Sequence, residues 1–167
     1  MKRRHITWVL VPLALAGIII LAAQRSEYGI NMLQQFAPAL LPSSQLARNL
    51  ERTDPGVVRE SLATLARRKD PVGTERAIAL LKNPDPYVWL NAAHYLGGIG
   101  RQEAVPYLIK GLRHSAWRSD AERVVDLERI TGQSLGTNFA AWSNWWVMGQ
   151  TNVVFDFESS LGAKPRK

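Results

Sequence analysis

Thirty-one residues separate Asp54-Pro55 from Asp85-Pro86, and behind each pair the same residue types return in the same order without a gap. Val57, Leu65, Ile78 and Leu81 match Val88, Leu96, Ile109 and Leu112. One further step back, Ala47 and Leu50 take the positions of Ile78 and Leu81, so a half-repeat precedes the first full one. Self-similarity at a period of about 20–50 residues is the mark of a solenoid, whose single units cannot bury their own apolar face. A non-repeating helical bundle is the competing arrangement.

Within the second repeat, Asp85 suits an N-cap, since its carboxylate can accept from orphan backbone N–H groups, and Pro86 suits the first helical position, having no donor to leave unpaired. Val88, Ala92, Tyr95, Leu96 and Ile99 recur at helical spacing and form one apolar stripe. Gly97-Gly98-Ile99-Gly100 ends that helix, and Val105, Leu108, Ile109 and Leu112 make a second stripe. Beyond Leu112 the repeat is expected to lose register. A helix is predicted over Asp120 to Ile130 with Val124, Leu127 and Ile130 inward. After a polar, glycine-containing connector, Asn138 is a plausible N-cap for a helix carrying Phe139, Trp142, Trp145 and Trp146 on one broad face. Those aromatics either seal the open end of the stack, the preferred reading, or form a binding hot spot.

Ahead of the repeats, Ile6 to Ala23 runs without a charge. At about 1.5 Å per residue its length is roughly 27 Å, close to a bilayer core. Trp8 and Tyr28 suit the two interfaces. A transmembrane signal-anchor over 1–24 is therefore expected, with a cleaved signal peptide as the competing reading, although Leu21-Ala22-Ala23 makes a poor cleavage site. Lys2, Arg3 and Arg4 precede the segment and only Arg25 follows closely. The positive-inside rule then leaves the N-terminus cytoplasmic and puts the repeats on the periplasmic, lumenal or extracellular side. Residues 25–43 read as a linker or capping helix, with Ile30, Leu33, Phe36, Ala37, Leu40 and Leu41 as its apolar positions. A helix lying on the membrane is the alternative there. The repeats with their Trp-rich cap occupy 44–148, and 149–167 is a tail.

The net charge of +7 resembles a nucleic-acid signal until it is located. Six of the 21 cations stand at the two termini, leaving 15 against 14 acids in the body. A basic footprint across one face is missing, so no nucleic acid is expected. Without cysteine there can be no disulfide, thiolate metal site or cysteine nucleophile. His94 and His114 read as a half-buried helix residue and a helix C-terminal cation, and Arg67-Arg68-Lys69 as a solvated helix end. Patterns for a serine nucleophile elbow, a phosphate loop or a zinc helix are lacking. The sequence offers no catalytic residue, metal ligand or cofactor site.

Asp85-Pro-Tyr-Val-Trp-Leu-Asn-Ala-Ala-His-Tyr-Leu-Gly-Gly-Ile-Gly100 followed by Glu103-Ala-Val-Pro-Tyr-Leu-Ile-Lys-Gly-Leu112 resembles the HEAT-like repeats first associated with phycobilisome lyases. The Trp-rich end is similar to that of many bacterial HEAT-repeat proteins. The resemblance implies an all-α fold, a short α-solenoid of helical hairpins preceded here by one transmembrane helix, and a function in binding another protein. That points to a membrane-tethered scaffold, an accessory or assembly subunit of a membrane complex. A chromophore lyase, a lyase helper or a cleaved periplasmic binding module is the alternative. In such a stack the second helices line the concave side, so Arg76, Tyr107, Lys110 and Arg113 are candidate partner-binding residues, together with Lys82 and His114. Tyr87 and Trp89 join them, because Trp89 stands where these repeats commonly carry Arg and is expected to be an exposed anchor. Trp142, Trp145 and Trp146 complete the candidates.

Overall fold

Both Asp-Pro pairs act as helix starts. In the computed structural model, which describes residues 16–114 and 120–149, Asp54 Oδ1 accepts from Gly56 N at 2.7 Å and Asp85 Oδ1 from Tyr87 N at 2.8 Å. They open α3 (Pro55–Arg68) and α5 (Pro86–Gly98). Before them lie α1 (Glu27–Phe36) and α2 (Ser43–Asn49); α4 (Thr74–Leu80) and α6 (Val105–Gly111) return from α3 and α5. The chain continues through α7 (Asp120–Thr131) and α8 (Phe139–Gly149). Each aspartate satisfies an N–H that the helix cannot, so Asp85→Ala should lower stability by about 1 kcal/mol in urea melts.

The period of 31 residues holds down to single caps. Helices α2, α4 and α6 are each seven residues long, begin at Ser43, Thr74 and Val105, and end on the right-handed C-caps Leu50, Leu81 and Leu112. A short 3-10 turn precedes α4 at Pro71–Gly73 and α6 at Gln102–Ala104. Lys69 closes α3 in the left-handed conformation (φ 51°) where its equivalent Gly100 has φ 78°. Behind them Asp70 N donates to Leu65 O at 3.1 Å and Arg101 N to Leu96 O at 2.9 Å. Glycine enters this region freely, whereas lysine there carries a steric cost of roughly 1–2 kcal/mol.

One core runs through the stack. Leu65, Leu96 and Leu127 stand 31 residues apart and are all fully buried. The expected loss of register after Leu112 is thus corrected: α7 lacks the Asp-Pro start, but its inward leucine keeps the spacing and packs into the same cluster. Helix α5 contacts α3, α4, α6 and α7. Because neighbours flank it on several sides, it buries Val88, Trp89, Asn91, Ala92, Ala93, Tyr95, Leu96 and Gly97, a broader face than the single stripe expected. Tyr95 also finishes the preceding hairpin. Its hydroxyl donates to Asp70 O at 2.6 Å and accepts from Gly73 N at 3.2 Å. A side chain at Gly73 would press on Leu50 and Leu65, which explains glycine at that turn.

The segment before the repeats caps them. Ile30 and Leu33 of α1 pack on the core and Leu41 is fully buried. Arg68 at the end of α3 donates to Ala39 O at 2.7 Å and Leu41 O at 2.8 Å, so this cation clamps the capping segment and is not merely a solvated helix end. Asn49 of α2 is bonded to Gln34 of α1. Ser43 and the Val72 N–H hold the Asp70 carboxyl below its usual range, and Ser43 Oγ accepts from Arg68 at 3.2 Å, which ties α2 to the end of α3.

Residues 16–23 are helical. Among the described residues no helix is long and apolar enough to cross a membrane. Most of the predicted span from Ile6 to Ala23, namely 6–15, lies outside the described residues, as does the tail from 150 to 167.

Candidate protein-binding surface

The exact register of α2, α4 and α6 makes their outward positions equivalent. Gln45, Arg76 and Tyr107 share one position; Arg48, Ala79 and Lys110 the next; Glu51, Lys82 and Arg113, just past the C-caps, the third. Arg48, Arg76, Lys82 and Arg113 are exposed, with Glu51 and Glu75 as exposed acids among them. Arg76 is braced by its Nε, which donates to Leu50 O at 3.2 Å, and Arg48 by Gln45 Oε1 at 2.7 Å. Between α2 and α4 this face holds an open groove of about 420 Å³, lined by Ala47, Arg48, Val72, Gly73, Arg76 and Ala79 with Glu51 and Glu75 at its sides.

Toward α6 the face becomes aromatic and drier. The Lys110 ammonium lies 4.7 Å above the Trp89 ring, and burial lowers its pKa from the usual lysine value. Tyr107 and His114 contact the same indole at centroid distances of 6.3 and 5.8 Å. Trp89 is therefore not the exposed anchor expected. It is 4 % exposed, covered by the end of α6 folding back over it. The repeat carried a signal for this: Val58, its equivalent in α3, is also buried. Tyr87 is half-buried under Arg59, 5.5 Å from the ring. Tyr107, Lys110 and His114 are likewise half-buried, while the Arg113 guanidinium sits 5.1 Å over Phe139 and remains exposed.

The three C-terminal tryptophans divide. Trp142 is fully buried and its Nε1 donates to Gly136 O at 2.7 Å. Trp145 packs edge-on against it at 5.9 Å, with Trp146 6.2 Å further along, and both are half-buried. Asn138 caps the helix as expected, its Oδ1 accepting from Ala141 N at 3.1 Å. These rings seal the third hairpin, and the fully enclosed Trp142 offers a partner nothing without unfolding the end.

One polar constellation was not foreseen. His94 Nδ1 lies 2.8 Å from Asp126 Oδ2, and Arg129 bonds both Asp126 Oδ1 at 2.9 Å and Gly97 O at 3.2 Å. Asp126 is buried, so it joins α5 to α7 as a desolvated carboxylate with its partners in place. Nearby, Arg123 is buried and donates to Gly111 O and, at 3.4 Å, to His114 O, satisfying carbonyls at the end of α6. Both sets span hairpins and read as mortar between them. Among the described residues no group of three or more His, Asp or Glu could hold a metal ion.

Residues 43–125 match the family of HEAT repeats. No curated protein matches the chain. The matched stretch opens at the first residue of α2 and ends inside α7, the same interval over which the 31-residue register was traced. Sequence period, cap geometry and family match agree, and residues 43–125 are similar to HEAT repeats.

Proposed function

We propose that this protein is a non-enzymatic scaffold which binds an acidic partner protein on the outward face of α2, α4 and α6, while an apolar N-terminal stretch holds it at a membrane as an accessory subunit. HEAT repeats commonly serve as protein-interaction scaffolds. The observation that carries the reading is the set of exposed cations Arg48, Arg76, Lys82 and Arg113 on and just past the second helices, whose register repeats every 31 residues. The cations outnumber Glu51 and Glu75 on this face, and such an excess complements an acidic surface and speeds its approach. The membrane part of the proposal rests on the uncharged run from Ile6 to Ala23 and on the three cations before it.

Lys82 and Arg113 occupy equivalent positions, and both are exposed. Reversing both to Glu should change stability by no more than about 1 kcal/mol, since surface substitutions are mild and the Arg113 contact with Phe139 is a small term. Co-purification of the partner from detergent-solubilised membranes should fall sharply, and the remaining association should lose its salt dependence. Retention of the same partner at wild-type level by the doubly reversed protein would remove this face from consideration.

A further inference from the structure

We propose that the outward side of α1 lies in the headgroup layer of a bilayer, so that the repeat stack stands with its N-terminal end seated on the membrane surface. The inference deepens the tethering just proposed and rests on it. Ile18, Ile19 and Leu21 are 62 %, 67 % and 60 % exposed, so these side chains of the uncharged stretch find no cover among the described residues. From Ala23 the chain enters a tight turn, with Arg25 N bonded to Ala22 O and Ser26 N to Ala23 O, and Ser26 then caps α1 through Gly29 N at 3.0 Å. Only four residue steps separate Ala23 from Glu27. Even fully extended they reach about 14 Å, comparable with the diameter of one helix. A membrane-embedded Ala23 therefore keeps the start of α1 within about one helix diameter of the surface.

The exposed side of α1 has the composition that such a layer favours. Tyr28 is 77 % exposed and Met32, one turn on, is 42 % exposed; Leu40, in the following 3-10 turn, is 41 % exposed. Asn31, Gln35, Arg25 and Glu27 are exposed around them. An aromatic ring with a polar tip, an adjacent cation and apolar residues one turn apart suit the boundary between headgroups and acyl chains. The opposite side of α1 is already occupied, since Ile30 and Leu33 pack on the core. Arg68 and Asn49 fix the capping segment to the repeats, so seating α1 also orients α2 to α6.

The chain has no cysteine, which makes a direct test simple. Single-cysteine variants Leu21→Cys, Tyr28→Cys and Met32→Cys, with Val72→Cys and Val147→Cys as exposed controls on the repeats, would be labelled with bimane. Each full-length protein would be reconstituted into phosphatidylcholine–phosphatidylglycerol vesicles with or without headgroup-nitroxide lipid. The expected result is quenching of at least about twofold at positions 21, 28 and 32, with the two controls little changed. Quenching at 21 without quenching at 28 or 32 would overturn the seating of α1 and leave the tether standing. No quenching at any of the three would remove tether and seating together. Equal quenching at 28, 32, 72 and 147 would mean non-specific adsorption and would also overturn the seating. A blue shift at 28 and 32 that needs no lipid and grows with protein concentration would replace the bilayer by a second copy of this chain.

Discussion

Trp142→Ala should destabilise the repeat domain by about 3–5 kcal/mol, the range for truncating a large buried aromatic. The residue is fully enclosed and its indole N–H donates to Gly136 O, so truncation loses transfer energy, a hydrogen bond and the filling of a cavity in one step. Trp142→Phe should recover most of the packing and leave the lost hydrogen bond as the deficit. Urea titrations of both variants measure the difference. If Trp142→Ala melted like the wild type, the seal assigned to α8 would be wrong and its aromatic face would become the better candidate for a partner.

Leu96→Ala should cost about 2–5 kcal/mol, and its two equivalents provide an internal control. Leu65, Leu96 and Leu127 are all fully buried, but Leu96 belongs to the helix with the most neighbours. A cavity there has packed helices on several sides and can collapse least, whereas one beneath α7 has fewer neighbours to hold it open. The expected order of destabilisation is Leu96 above Leu65 and Leu127. Equal losses at all three would show that the depth of a leucine in this stack does not depend on its repeat.

Much of this fold is legible in local chemistry repeated at fixed distance. Asp-Pro caps, the leucine register and the stop at Gly100 each need only a few neighbouring residues, and the helices start and end where those residues put them. What stayed hidden depends on contacts between hairpins. Lys69 gives no warning of its left-handed conformation, because glycine is the residue that announces one; only alignment with Gly100 shows it. Arg68 belongs to a basic triplet indistinguishable from a solvated helix end until Ala39 O and Leu41 O are brought beneath it. Trp89 looks outward on a helical wheel with one buried face, yet α5 has more than one. His94 and Asp126 lie 32 residues apart and share no motif.

For the candidate surface, the residues at Arg76, Lys82 and Arg113 were readable because the register names the outward positions. The drier end around Trp89 and Lys110 was not, since its burial comes from the way α6 folds back over α5.

Tyr95 and Asp126 occupy the same register position in successive hairpins, with Thr64 one step before them, and all three are buried. Each does something different: Thr64 accepts from Arg67, Tyr95 bridges to the Asp70–Gly73 turn, and Asp126 pairs with His94 and Arg129. An apolar ladder that repeats every 31 residues would by itself let a hairpin dock one rung out of place, a characteristic hazard of repeat chains. With these residues in place a slipped pairing would bury the Tyr95 hydroxyl or the Asp126 carboxylate without its partners, at about 1–3 kcal/mol or more for each group left unpaired. The leucines make the hairpins adhere, and Tyr95 and Asp126 beside them give their two rungs different addresses.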